Sequence, residues 1–185
     1  FPSLENAYLT IIDGKISDFG PMTHCPQDDL PTHDCSDRHV LPAFVDSHSH
    51  LVYAGTREEE FNLRLKGASY EEIAAAGGGI LNSAAKVGTS TVDQLVSQAK
   101  FRLENLIDCG TGTLEVKSGY GLDPENELKL LRAIKALNSQ SRATLVPTFL
   151  AAHALPSWAK MQGMNDASYT KYMLDECLPT AQKEG

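Results

Sequence analysis

The chain has no apolar run approaching the ~20 residues that a membrane-spanning helix needs, so no membrane partner is expected. Basic residues are few. Lys and Arg number 16 against 24 Asp and Glu, for a formal net charge of −8, and they form no basic run. That balance argues against a nucleic-acid or anionic lipid surface. Cysteine is sparse: Cys25, Cys35, Cys109 and Cys177 show no C-x-x-C spacing. A disulfide framework and a structural zinc site are thereby disfavoured, and reduced thiols in a cytoplasmic protein are expected. There is no internal repeat and no low-complexity tract. There is also no initiating methionine and no signal-peptide pattern, so the natural N-terminus is expected to lie upstream of Phe1. What remains is the composition of a soluble globular protein, 42% hydrophobic and 22% charged, and 185 residues suffice for one ordinary domain with a real core.

Element signals follow in order. "AYLTIIDGKISDFG" reads as two short strands joined at Asp13-Gly14, a hairpin turn dipeptide. Residues 21 to 39 are polar and read as loop. "HVLPAFVD" reads as a short apolar strand, and a long irregular stretch follows it. Within that stretch, "SYEEIAAAGGG" carries a capping box (Ser69 and Glu72) and glycines that end a short helix. Beyond Ser90 the periodicity is regular. "TVDQLVSQAKFRLENLIDCG" has a helical apolar stripe stopped by Gly110, "TGTLEV" is a strand, and "DPENELKLLRAIKALN" is a helix with Asp123 as cap and Pro124 in the first position. "ATLVPTFLAAH" reads as a strand and "NDASYTKYMLDECLP" as a helix. Strand–helix alternation predicts βαβ units and a parallel sheet.

Such sheets carry their chemistry at the C-terminal ends of the strands. In "DSHSH", His48 and His50 are two residues apart, so an extended backbone aims both imidazoles to one side. Neutral imidazoles suit Zn²⁺ or iron. Taken alone, H-x-H is a weak signal, and the alternative is two loop histidines bonded locally. Asp46 is either a second-shell partner of these imidazoles or a turn residue. Arg57 can grip a carboxylate in bidentate fashion, although its charged run "TREEEFNLR" favours a solvated surface residue. Tyr120, between glycines in "SGYG", is either a partly buried turn aromatic or a phenol where the backbone can approach a ligand. His153, in "LAAHALP", is either a core histidine or a group that polarises a carbonyl. Lys117 reads as structural. "GGGIL" at Gly77–Leu81 lacks the spacing of a phosphate loop.

Together these stretches resemble a known family. "LPAFVDSHSHLVYAG" is similar to the first barrel strand of the amidohydrolase superfamily. "GTREEEFNLRLKGASYEEI", "GGGIL", "EVKSGYGLDPENELKLLR" and "VPTFLAAHALP" narrow the resemblance to the imidazolonepropionase family. The resemblance implies an α/β fold: a (β/α)₈ TIM barrel, present here in part over residues 41–185, with residues 1–40 contributing to a small β-sandwich. It implies that His48 and His50 bind one Zn²⁺ or Fe³⁺ per subunit. It also implies that Arg57, Tyr120, His153 and Tyr70 contact the substrate.

The implied reaction is hydrolysis of 4-imidazolone-5-propanoate to N-formimidoyl-L-glutamate in histidine degradation. Water activated at the metal would attack the ring carbonyl, with Arg57 and Tyr120 on the propanoate and His153 as the catalytic group orienting the ring. The family suggests a homodimer at full length. A complete barrel takes about 250 residues. The chain offers about three βα units, so the remaining ligands are expected beyond Gly185 and the 185 residues alone are expected to be inactive. Two alternatives stand beside this reading: another cyclic amidohydrolase or deaminase, and a catalytically incomplete fragment.

Overall fold

The computed structural model describes residues 3–27, 29–75 and 77–185. The chain divides into two compact units, Phe1–Leu41 and Pro42–Gly185. In the first unit, β1 (Ala7–Ile12) pairs antiparallel with β2 (Lys15–Pro21), and Ile12 faces Lys15 across the turn. Asp13 and Gly14 both have positive φ, +50° and +72°. A two-residue hairpin turn of this hand needs that conformation, and Asp and Gly tolerate it best. Leu9 faces Phe19 and Ile11 faces Ile16 across the ladder. The stretch read as loop contains the last residue of β2, Pro21, and one short 3₁₀ turn, Met22–His24, with no other helix or strand among its described residues.

The second unit is α/β. Its parallel sheet runs in the order β3 (Phe44–Ser49), β4 (Thr111–Lys117), β5 (Thr144–Thr148). Parallel neighbours need crossovers. Between β3 and β4 lie α1 (Glu58–Leu65), α2 (Tyr70–Ala75), α3 (Ile80–Thr89) and α4 (Val92–Asp108). Helix α5 (Pro124–Asn138) joins β4 to β5, and α6 (Ser157–Met161), α7 (Asp166–Glu176) and α8 (Leu178–Glu184) follow.

The Asp123 cap and the Gly110 stop are those the sequence predicts, and the structure adds a cap at Thr91. Thr91 and Gln94 form a reciprocal capping box on α4, and Gly110, with φ +94°, follows the helix end. Asp123 accepts from the Asn126 amide at 2.9 Å, with Pro124 in the first position of α5. Each such cap contributes about 1 kcal/mol.

Leu114 and Val116 of β4 and Leu145 of β5 are buried together with Leu95, Ala99 and Leu103 of α4 and Leu130, Ala133, Ile134 and Leu137 of α5. The alternate β4 residues, Glu115 and Lys117, are partly exposed on the opposite face. Leu103 is 1% exposed in this core. Leu103→Ala should lower unfolding free energy by about 2–5 kcal/mol, through lost burial plus the cavity left behind. Urea denaturation checks this: a midpoint within error of the parent protein would show that the α4 seam is not part of the cooperative core.

The structure departs from the sequence reading in several places, among them the last stretch read as one helix, which is α7 and α8 parted at Cys177. The stretch read as irregular holds α1 and α3 besides the short helix α2. Helix α1 buries no residue, so no apolar stripe betrays it. Helix α3 begins at the glycines read as a stop, with Gly79 at φ +81° as its N-cap. Strand β3 starts at Phe44 rather than His39, and Pro42 lacks the N–H a ladder needs. Strand β5 ends at Thr148, so His153 lies in the turn beyond the strand rather than at its end. All four cysteines are free, and burial pushes the Cys177 thiol up to about 11.

Candidate active site

His48 lies within β3 and His50 one residue beyond its end. The Asp46 carboxylate accepts from the backbone N–H of His48 at 3.1 Å. Of its two readings, it therefore braces the strand rather than an imidazole. The Ser49 hydroxyl donates to the Glu115 carbonyl at 2.6 Å, tying the end of β3 to β4. From His50 the chain runs to Arg57 under the guanidinium of Arg102. That group donates to the carbonyls of Leu51 (3.1 Å), Tyr53 (3.1 Å) and Gly55 (3.5 Å) and lies 3.5 Å from the Tyr53 ring centroid. Three carbonyls and an aromatic face satisfy a half-buried cation and fix the segment between the two candidate groups.

The loop after β4 carries Tyr120, and its shape depends on Glu127. This glutamate has no exposed surface, and its carboxylate accepts from the backbone N–H groups of Gly119 (2.8 Å), Gly121 (2.7 Å) and Leu122 (2.9 Å). Leu122 adopts φ +58°, a conformation a leucine holds only under constraint. Its carbonyl accepts from the Tyr169 hydroxyl at 3.0 Å and the Trp158 indole at 3.3 Å, so both sides of the strained residue are held. Gly119 is also required by contact: a Cβ there would lie 3.0 Å from Nδ1 of His153.

Three segments therefore converge. The His50 ring stacks on Tyr120 with centroids 4.6 Å apart and meets His153 edge-on at 5.0 Å. Tyr120 and His153 are 5.9 Å apart, and His48 is 6.1 Å from His50. The Arg57 guanidinium carbon lies 5.5 Å from the Tyr120 ring centroid. Its Nε and Nη2 donate to Oγ of Ser83 at 3.0 and 2.8 Å. Tyr70 stands apart: it opens α2, is 62% exposed, and makes none of these ring contacts. A cavity of about 320 Å³ lies beside Arg57, lined by Glu60, Asn82 and Lys86 among others but by none of the rings.

Burial lowers the pKa of His50, helped by the charge of His153, and burial lowers that of His153 as well. Both imidazoles are thereby kept neutral near pH 7, the form that donates a lone pair. Nearby, the Lys117 ammonium and the Thr148 hydroxyl hold the Glu115 carboxyl below the usual carboxylate range. Lys117 is thus spent on an ion pair, in keeping with a structural role.

The histidine pair fits one flank of a cation. Nδ1 of His50 is buried and has no hydrogen-bond partner among the described residues, and imidazole nitrogens are suitable donors to zinc or iron. Among the described residues no group of three or more His, Cys, Asp or Glu completes a metal cage. Sequence reasoning missed Glu127, Ser83 and Arg102. The first was visible only as an acid in a helix first turn. Its spacing from the G-Y-G stretch, which lets a helix residue reach back under the loop that precedes it, was the available signal.

No protein-family model matches the chain. Curated proteins do. The chain is 46% identical over 179 residues to an imidazolonepropionase of Flavobacterium johnsoniae, which covers 96% of the chain and 43% of that relative. It is 45% identical over 184 residues to one from Flavobacterium psychrophilum, covering 99% of the chain and 44% of the relative. It is 43% identical over 183 residues to one from Brucella anthropi, covering 98% of the chain and 44% of the relative. The chain spans less than half the length of these relatives.

Proposed function

We propose, from the premise that the chain is imidazolonepropionase-like along nearly all its length, that it supplies one side of the active site of a hydrolase acting on a cyclic amide. The substrate is 4-imidazolone-5-propanoate, the reaction adds water across the ring amide, and the product is N-formimidoyl-L-glutamate. The barrel, with residues 1–40 as part of a β-sandwich, and the homodimer belong to this proposal for the full-length protein. So does the cytoplasm as its place of action; among the described residues no helix is long and apolar enough to cross a membrane.

The observation that carries this reading is the convergence of His50, Tyr120 and His153 from three separate segments, with Arg57 at the edge. The geometry suits a small planar ring with an anionic tail. His48 and His50 would hold one Zn²⁺ or Fe³⁺, which when bound supplies Lewis acidity and a water acidified to a pKa of about 7. His153, 5.0 Å from His50, would orient the ring and hydrogen-bond its carbonyl. Tyr120 and Arg57 would receive the propanoate carboxylate.

The test is product analysis. The full-length protein carrying this chain should convert imidazolone propanoate to formimidoylglutamate, and the 185-residue chain alone should not. A different ring amide opened in preference would move the assignment to another cyclic amidohydrolase. No turnover of either by the full-length protein would favour a chain that has lost its activity.

A further inference from the structure

We propose that Ser83 is a positioning residue that decides which edge of Arg57 is offered to the substrate carboxylate. This rests on the reading of Arg57 as the carboxylate clamp. A guanidinium presents five N–H donors in a rigid plane, and a carboxylate can take it side-on through Nε and Nη2 or end-on through Nη1 and Nη2. Here the side-on edge is occupied. Oγ of Ser83 accepts from Nε at 3.0 Å and from Nη2 at 2.8 Å, and these two bonds use both lone pairs of the hydroxyl.

Ser83 is only 4% exposed, in the first turn of α3, so its own position is set by the helix rather than by the arginine. The remaining donors, both on Nη1 and one on Nη2, have no hydrogen-bond partner among the described residues. No carboxylate of the described residues pairs with Arg57, although Glu58, Glu59 and Glu60 follow it in sequence. The Tyr120 ring at 5.5 Å limits the guanidinium from another side. An arginine pinned along one edge and bordered by an aromatic ring loses little rotamer freedom when an anion binds, and it selects a carboxylate arriving end-on.

The experiment uses the full-length protein with S83A, S83T and R57A, assayed on imidazolone propanoate and on the analogue whose tail is the neutral propanamide. S83A should raise KM for the propanoate by about 5- to 20-fold, the loss expected when one charge-assisted contact is no longer preorganised, with kcat within about twofold. S83T, which keeps the hydroxyl, should restore KM. For the neutral analogue, S83A and the parent should have the same KM, because no carboxylate reads the arginine. Equal KM increases for both substrates in S83A would show a merely structural serine and overturn the inference. A raised KM in R57A with an unchanged KM in S83A would overturn this inference alone. An unchanged KM in R57A would overturn the clamp reading and the inference with it.

Discussion

Replacing His50 with alanine in the full-length protein is expected to abolish stoichiometric metal and to lower kcat/KM by more than about 100-fold. Loss of a group that merely orients a metal ligand costs about 10- to 100-fold, so loss of a ligand itself costs more. The side chain also packs on Tyr120 at 4.6 Å and on His153 at 5.0 Å, so its removal loosens the groups that would face the substrate. His48→Ala should show the same metal loss with less disturbance of the rings, because His48 touches only His50 among them. His24→Ala, in the first compact unit, serves as the control and should keep its metal. Elemental analysis after dialysis decides the point. Full metal content in both His48→Ala and His50→Ala would remove the histidine pair from the metal site, whatever the activity.

Arg57→Ala should leave metal content intact and raise KM for the propanoate substrate by about 10- to 100-fold, the range for losing a charge-assisted hydrogen bond to a carboxylate. Its exposure places Arg57 at the rim of the cluster, so truncation should not collapse the fold. Arg57→Lys should recover only part of the loss, because an ammonium keeps the charge but cannot use the Ser83 hydroxyl and a carboxylate with the same planar fork. Steady-state kinetics separate these effects. A fall in kcat with KM unchanged would place Arg57 in the chemical step instead of in substrate binding.

Much of the fold was legible because its signals are local. The Asp13-Gly14 turn, the Asp123 cap and the Gly110 stop each depend on residues within one turn of each other. The apolar stripe of α4 states its buried face directly. Helix α1 was illegible for the converse reason: it buries nothing, so it leaves no periodic trace. The glycines at Gly77–Gly79 read as an end because glycine is permissive in either direction, and only the chain path shows that Gly79 begins α3.

The chemistry on offer is already written in the order of residues: two imidazoles at the end of a strand, a guanidinium, a phenol between glycines, and a further imidazole in a later segment. Local spacing sets such features. Tertiary structure alone decided which of them meet. Tyr70 stays outside the ring contacts, Asp46 braces backbone, and Lys117 is committed to Glu115. It also decided what holds the meeting groups in place. Glu127 binds three amides of the Tyr120 loop, and Ser83 binds one edge of Arg57 from 26 residues away. A buried carboxylate or hydroxyl must find partners, but nothing in a linear pattern says which; only the closed packing around it does.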